Sequence, residues 1–136
     1  MAYWLICNSG AGDGERGRDF WLEHLATAGI HDPLCRDFEE SDWSTPSIFT
    51  HAGRRQVVVN GKTVRSYDLA TGELIWRCGG HTASAIPMPA VGHGLVFTAS
   101  GWRKDTLQAI ALGKRGDLTG SKSVVWSLRR GVPYVP

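Results

Sequence analysis

From residue 42 onward, apolar and polar positions alternate in short runs bounded by glycine, proline and asparagine, the pattern of half-buried strands. Ser47-Ile48-Phe49-Thr50 and Gln56-Val57-Val58-Val59 read as two strands joined through His51-Ala52-Gly53. Asn60-Gly61, a pair that tolerates positive φ, marks a hairpin into a third strand from Thr63 to Tyr67, and Glu73 to Arg77 makes a fourth. The order then restarts: residues 87–91, 95–99, 106–110 and 124–127 form a second set. Pro46 and Pro89 lie 43 positions apart and Trp76 and Trp126 lie 50 apart, with the excess in the loop Leu112-Gly113-Lys114-Arg115-Gly116. Spacings of roughly 40 to 50 residues are those of four-stranded repeats that stack on one another.

The first 41 residues follow a different pattern. Ala2 to Cys7 is a short apolar strand run, and Asn8-Ser9-Gly10-Ala11-Gly12-Asp13-Gly14 is loop chemistry. Between Arg18 and Ala28, Trp21, Leu22, Leu25 and Ala28 recur at three- and four-residue steps, which predicts a helix with Gly29 as its left-handed cap. No further strand is expected before the composition changes at Ser41. The chain thus divides into a β-loop-α element, 1–41, and a mainly β region, 42–136.

Composition narrows the function more than the fold. Six Trp and 17 Gly in 136 residues suit short strands and tight turns. A net charge of +2, with both signs interspersed, gives no field that would select nucleic acid, and Lys122, Arg129 and Arg130 read as a solvated edge. Cys7, Cys35 and Cys78 show no paired spacing, so neither a disulfide framework nor a zinc site is expected. No apolar run reaches the roughly 18 residues that span a bilayer, and the N-terminus has no signal-peptide pattern.

The stretch Tyr67-Asp68-Leu69-Ala70-Thr71-Gly72-Glu73-Leu74-Ile75-Trp76 joins strand, turn and strand. Asp68 and Thr71 can hold backbone amides across the turn and Gly72 can take a conformation closed to other residues. Its Asp-x-x-Thr-Gly-x-x-x-Trp spacing resembles the tryptophan-docking repeat of the PQQ-like (pyrroloquinoline quinone) β-propeller family. That resemblance implies about two four-stranded antiparallel blades, with Asp117-Leu118-Thr119-Gly120 echoing the Asp68 turn and residues 132–136 opening a third. It implies an extracytoplasmic or periplasmic setting. The opening "WLICNSGAGDG…WLEHLATAGI" resembles the start of the diacylglycerol-kinase-like catalytic domain, which would turn Asn8, Gly10 and Gly12 toward nucleotide phosphate. Ser9 stands where that family has proline, and no Gly-Gly-Asp-Gly-Thr loop occurs. Gly12-x-Gly14-x-x-Gly17, with Asp37 twenty residues on, also fits the dinucleotide fingerprint.

Each chemical candidate has a structural competitor. Trp76 and Trp126 could stack a planar cofactor, but buried aromatics normally pack, and packing is the expectation. Cys78-Gly79-Gly80-His81 has Cys-x-x-His spacing with no second pair to complete four ligands. His24, His31, His51 and His93 read as surface residues, and no nucleophile elbow is present. The sequence therefore predicts a non-catalytic repeat scaffold that uses no cofactor or metal, binds protein partners or further blades, and self-associates. The alternatives are a fragment of a nucleotide-dependent lipid kinase or of a quinoprotein dehydrogenase.

Overall fold

A computed structural model of the chain describes residues 3–8, 18–38, 43–83, 85–100 and 106–132. The N-terminal element contains β1 (Trp4–Asn8), α1 (Arg18–Thr27) and β2 (Leu34–Phe38), and β2 pairs parallel with β1 from Trp4↔Leu34 to Asn8↔Phe38. It is thus a β-α-β unit, one strand more than expected. Arg36 and Asp37 interrupt the apolar pattern of a five-residue strand, which removes the periodic signal. The helix ends as its glycine requires. Gly29 has φ +77°, its N–H donates to Ala26 O at 3.0 Å, and Ile30 N–H donates to Leu25 O at 2.9 Å.

Residues 43–132 form two antiparallel sheets with one added parallel strand. The first holds β3 (Ser47–His51), β4 (Arg54–Val59), β5 (Thr63–Asp68) and β6 (Leu74–Gly79); the second holds β7 (Ala90–Gly92), β8 (Leu95–Ser100), β9 (Thr106–Ala111) and β11 (Val124–Leu128). Seven of the eight strands lie within two residues of where the alternation places them, β7 begins three residues later than the expected 87–91, and the region is mainly β. Ala52-Gly53 and His93-Gly94, at φ 50°, 75°, 52° and 74°, turn the first hairpin of each sheet. Two consecutive positive φ values match the right-handed twist of the strands they join. A bulge also recurs: the register shifts between Tyr67↔Leu74 and Ser66↔Trp76, and again between Val124 and Trp126 opposite β9.

The extra strand is β10 (Gly116–Asp117), which leaves the second sheet and pairs parallel with β6 of the first, Gly116↔Trp76 and Asp117↔Arg77. One core serves both sheets: Val58, Val64, Ile75, Trp76 and Cys78 meet Val96, Ile110 and Leu118. At roughly 25 cal/mol per Å² of apolar surface removed from water, this shared face is the main force holding the sheets together. Polar clamps fix the seam. Asn60 is fully buried, and its Nδ2 donates to the carbonyl oxygens of Pro87 and Ala99, both at 2.8 Å. Ser44 Oγ donates to Pro87 O at 2.9 Å, and Ser47 Oγ to Pro89 O. Asn60, chosen from sequence as a turn residue, is equally a strut between sheets.

Candidate functional site

The Asp68 turn is built as its residues predict. Asp68 Oδ1 accepts from the amides of Ala70 (2.8 Å) and Thr71 (3.1 Å), Thr71 Oγ1 accepts from Glu73 N–H, and Gly72 sits at φ 75°. Those two amides, with Arg54 at 3.2 Å behind them, hold the Asp68 carboxyl below the usual carboxylate range. The turn returns the chain into β6 and brings Trp76 inward, where it is 1 % exposed. Its indole Nε1 meets no acceptor among the described residues.

Trp76 is buried because the edge of its strand is covered. Leu118 N–H donates to Arg77 O at 2.8 Å and the Leu118 side chain enters the shared core. Gly79 N–H donates to Thr119 Oγ1 at 2.9 Å, and a Cβ on Gly79 would lie 3.3 Å from that oxygen. Asp117 Oδ2 receives Arg77 Nε and one terminal guanidinium nitrogen, each at 2.9 Å, while Asp117 Oδ1 accepts from Thr119 N–H at 3.0 Å. The hydrogen bonds from Thr119, ahead of the exposed Arg77 contact, depress the Asp117 carboxyl.

The equivalent edge of the second sheet carries no such cover. Beyond β11 no strand pairs among the described residues, and Val125, Trp126 and Leu128 are exposed, Trp126 by 42 %. Trp126 leans on Phe97 with ring centroids 6.0 Å apart. The sequence echo at Asp117 is therefore no copy of the Asp68 turn. Asp68 N–H bonds Glu73 O where Ala111 N–H bonds Ser123 O, so Ala111 holds the place of Asp68, and the Asp117 turn lies on an excursion between β9 and β11.

The other candidates separate. His81 is buried, with Nε2 2.8 Å from Thr98 Oγ1 and Nδ1 3.2 Å from Ser100 Oγ; burial lowers its pKa to about 4, so the ring is neutral at pH 7. Cys78 faces Gln108 instead, and burial, followed by the charge of Asp117, raises its thiol to about 11. A thiol so raised is a poor nucleophile and metal ligand at neutral pH. Among the described residues, no three His, Cys, Asp or Glu side chains gather as a metal set. Asn8 closes β1 and Asp37 lies on β2 opposite Cys7, while Gly10, Gly12, Gly14 and Gly17 fall outside the described residues. No described helix is long and apolar enough to cross a membrane.

Sequence reasoning passed over the cleft between the β3–β4 hairpin and the loop before β10, lined by His51, Ala52, Arg54, Gln56, Ile75, Gly113, Lys114 and Arg115. Its two walls come from segments about sixty positions apart, so no local motif announces it. No protein-family model matches this chain, and no curated protein matches it either.

Proposed function

We propose that residues 43–132 are two consecutive blades of a propeller-like repeat, similar to PQQ-like repeat proteins, and that they act as a non-catalytic scaffold binding protein partners at the outer edge of β11. One observation carries this reading. The fourth strand of the first sheet accepts a backbone segment, a buried leucine and an acidic side chain along its outer edge, whereas the matching strand of the second sheet offers Val125, Trp126 and Leu128 to solvent. An unpaired strand edge bearing large apolar groups pairs with other chains unless covered.

Sedimentation velocity over a wide range of loading concentrations tests the reading. Concentration-dependent association is expected, and Trp126→Lys should abolish it without lowering the melting temperature. A single monomeric species at every concentration would overturn it.

A further inference from the structure

We propose that the cleft between the β3–β4 hairpin and the 113–115 loop is a binding site for a tetrahedral oxyanion, a phosphate group either free or carried as a monoester on a small molecule. This inference does not depend on the scaffold reading.

Three features converge. Gln56, on β4, lines the cleft, and its carbonyl oxygen accepts from Ser66 Oγ at 3.0 Å, which leaves the amide nitrogen as the end of the side chain that can donate. An amide fixed through its oxygen presents its two N–H groups in a set direction, and an oxyanion in the cleft would accept from them. Lys114 and Arg115 form the opposite wall, and neither has a carboxylate partner among the described residues. Arg54 adds a guanidinium from the hairpin side, with Asp68 occupying its Nε at 3.2 Å and leaving its terminal nitrogens for a second acceptor. The cleft thus keeps a positive surplus.

Shape agrees with charge. The loop approaches so closely that a Cβ on Gly113 (φ +77°) would stand 3.1 Å from His51 Nε2. The cleft holds about 180 Å³, room for one small oxyanion with a few waters at ~30 Å³ each. Donors arrive from two sides, Arg54 and Gln56 from β4 and Lys114 and Arg115 from the facing loop, and four donor groups suit the several oxygens of a phosphate better than the two of a carboxylate.

The test uses the full chain at pH 7.5 with ionic strength fixed by chloride. Inorganic phosphate, glycerol phosphate and acetate are titrated in turn, with backbone amide shifts at residues 52–56 and 113–116 as the readout. Saturable phosphate binding is expected, reduced at least tenfold by the double change Lys114→Gln and Arg115→Gln, and altered less than twofold by removing two charges elsewhere, Lys62→Gln and Lys122→Gln. Both loop positions are exposed, so the fold survives their loss. Gln56→Glu, which places a negative group inside the cleft, should abolish binding. Tighter binding of glycerol phosphate assigns the monoester, and tighter binding of inorganic phosphate assigns the free anion. Shifts that rise linearly without saturating, equal losses in both double variants, or acetate binding as tightly as phosphate would each overturn the proposal.

Discussion

The two sheets differ most where their third strands pass to their fourth. In the first, residues 69–72 make a tight turn that folds on its own aspartate; in the second, residues 112–122 leave the sheet, lay β10 along β6 and return. Trp76 and Trp126 occupy the same place beside the same bulge, yet one is 1 % exposed and the other 42 %. A strand of this repeat does not bury its own tryptophan. The neighbour's excursion does so, by adding Leu118 to the core and a short parallel strand to the edge.

The largest effect should come from exchanging each tryptophan for alanine. Trp76→Ala deletes a fully buried aromatic and should cost roughly 3–5 kcal/mol, whereas Trp126→Ala should cost under about 1 kcal/mol as an exposed change. Urea unfolding of both variants measures the pair. Equal costs would mean that the difference in cover carries no energetic weight and that the comparison between edges is empty.

A second difference is polar. Both sheets supply the seam where His81, from the connection after β6, meets Thr98 and Ser100 on β8, and this ring is buried neutral. Its folded pKa of about 4 lies below the ordinary 6.5, so the unfolded chain binds the proton more readily across that window. Stability attributable to His81 is therefore full above about pH 6.5 and declines as pH falls toward 4, by on the order of 2 kcal/mol between pH 7 and pH 5. The depressed carboxyls of Asp68 and Asp117 act below 3.8, outside this window. Thermal melts against pH should show the slope in the parent chain and lose it in His81→Gln. A slope unchanged by that substitution would place the titrating group elsewhere.

How much of this was legible follows from whether each feature is local. The eight strands of the two sheets could be read because Val57 to Val59, Val64, Val96 and Ile110 supply dense β-branched runs between glycine-bounded turns. The Asp68 turn was legible because the bonds that shape it, from Ala70, Thr71 and Gly72 to Asp68 and from Asp68 to Glu73, close within six residues. By contrast, β10 is two residues long, Gly116 and Asp117, with no apolar pattern, and its partner β6 lies forty positions upstream. His81 follows two glycines and reads as loop, while its burial is decided by Thr98 and Ser100 on another strand. The phosphate-type cleft is hidden for the same reason, since His51 and Gly113 meet only after both sheets have formed. In each case the missing signal is a long-range contact, which no periodicity within a short window encodes.

The smallest expected effect probes the covered edge at its tightest point. Three positions after each tryptophan stand Gly79 and Arg129. Gly79 receives Thr119, and a methyl there would sit 3.3 Å from Thr119 Oγ1 and 3.4 Å from its Cγ2, tight enough that Thr119 must yield and its bond to Gly79 N–H lengthen. Against this, alanine restricts the unfolded chain and returns about 0.4–1 kcal/mol where the backbone permits it, as it does here because Gly79 is not held at positive φ. Crowding slightly outweighs that gain, so Gly79→Ala should destabilise by about 0.5–1 kcal/mol. Thr119→Ser, which keeps the hydroxyl and removes the crowding methyl, should recover most of it in the double variant. Arg129→Ala should change stability by less than ~0.5 kcal/mol, as surface substitutions do. Recovery in the double variant locates the strain at the Thr119 contact; a Gly79→Ala chain as stable as the parent would show that β10 and its turn sit loosely on β6, and that bare backbone at position 79 is not what admits the neighbour.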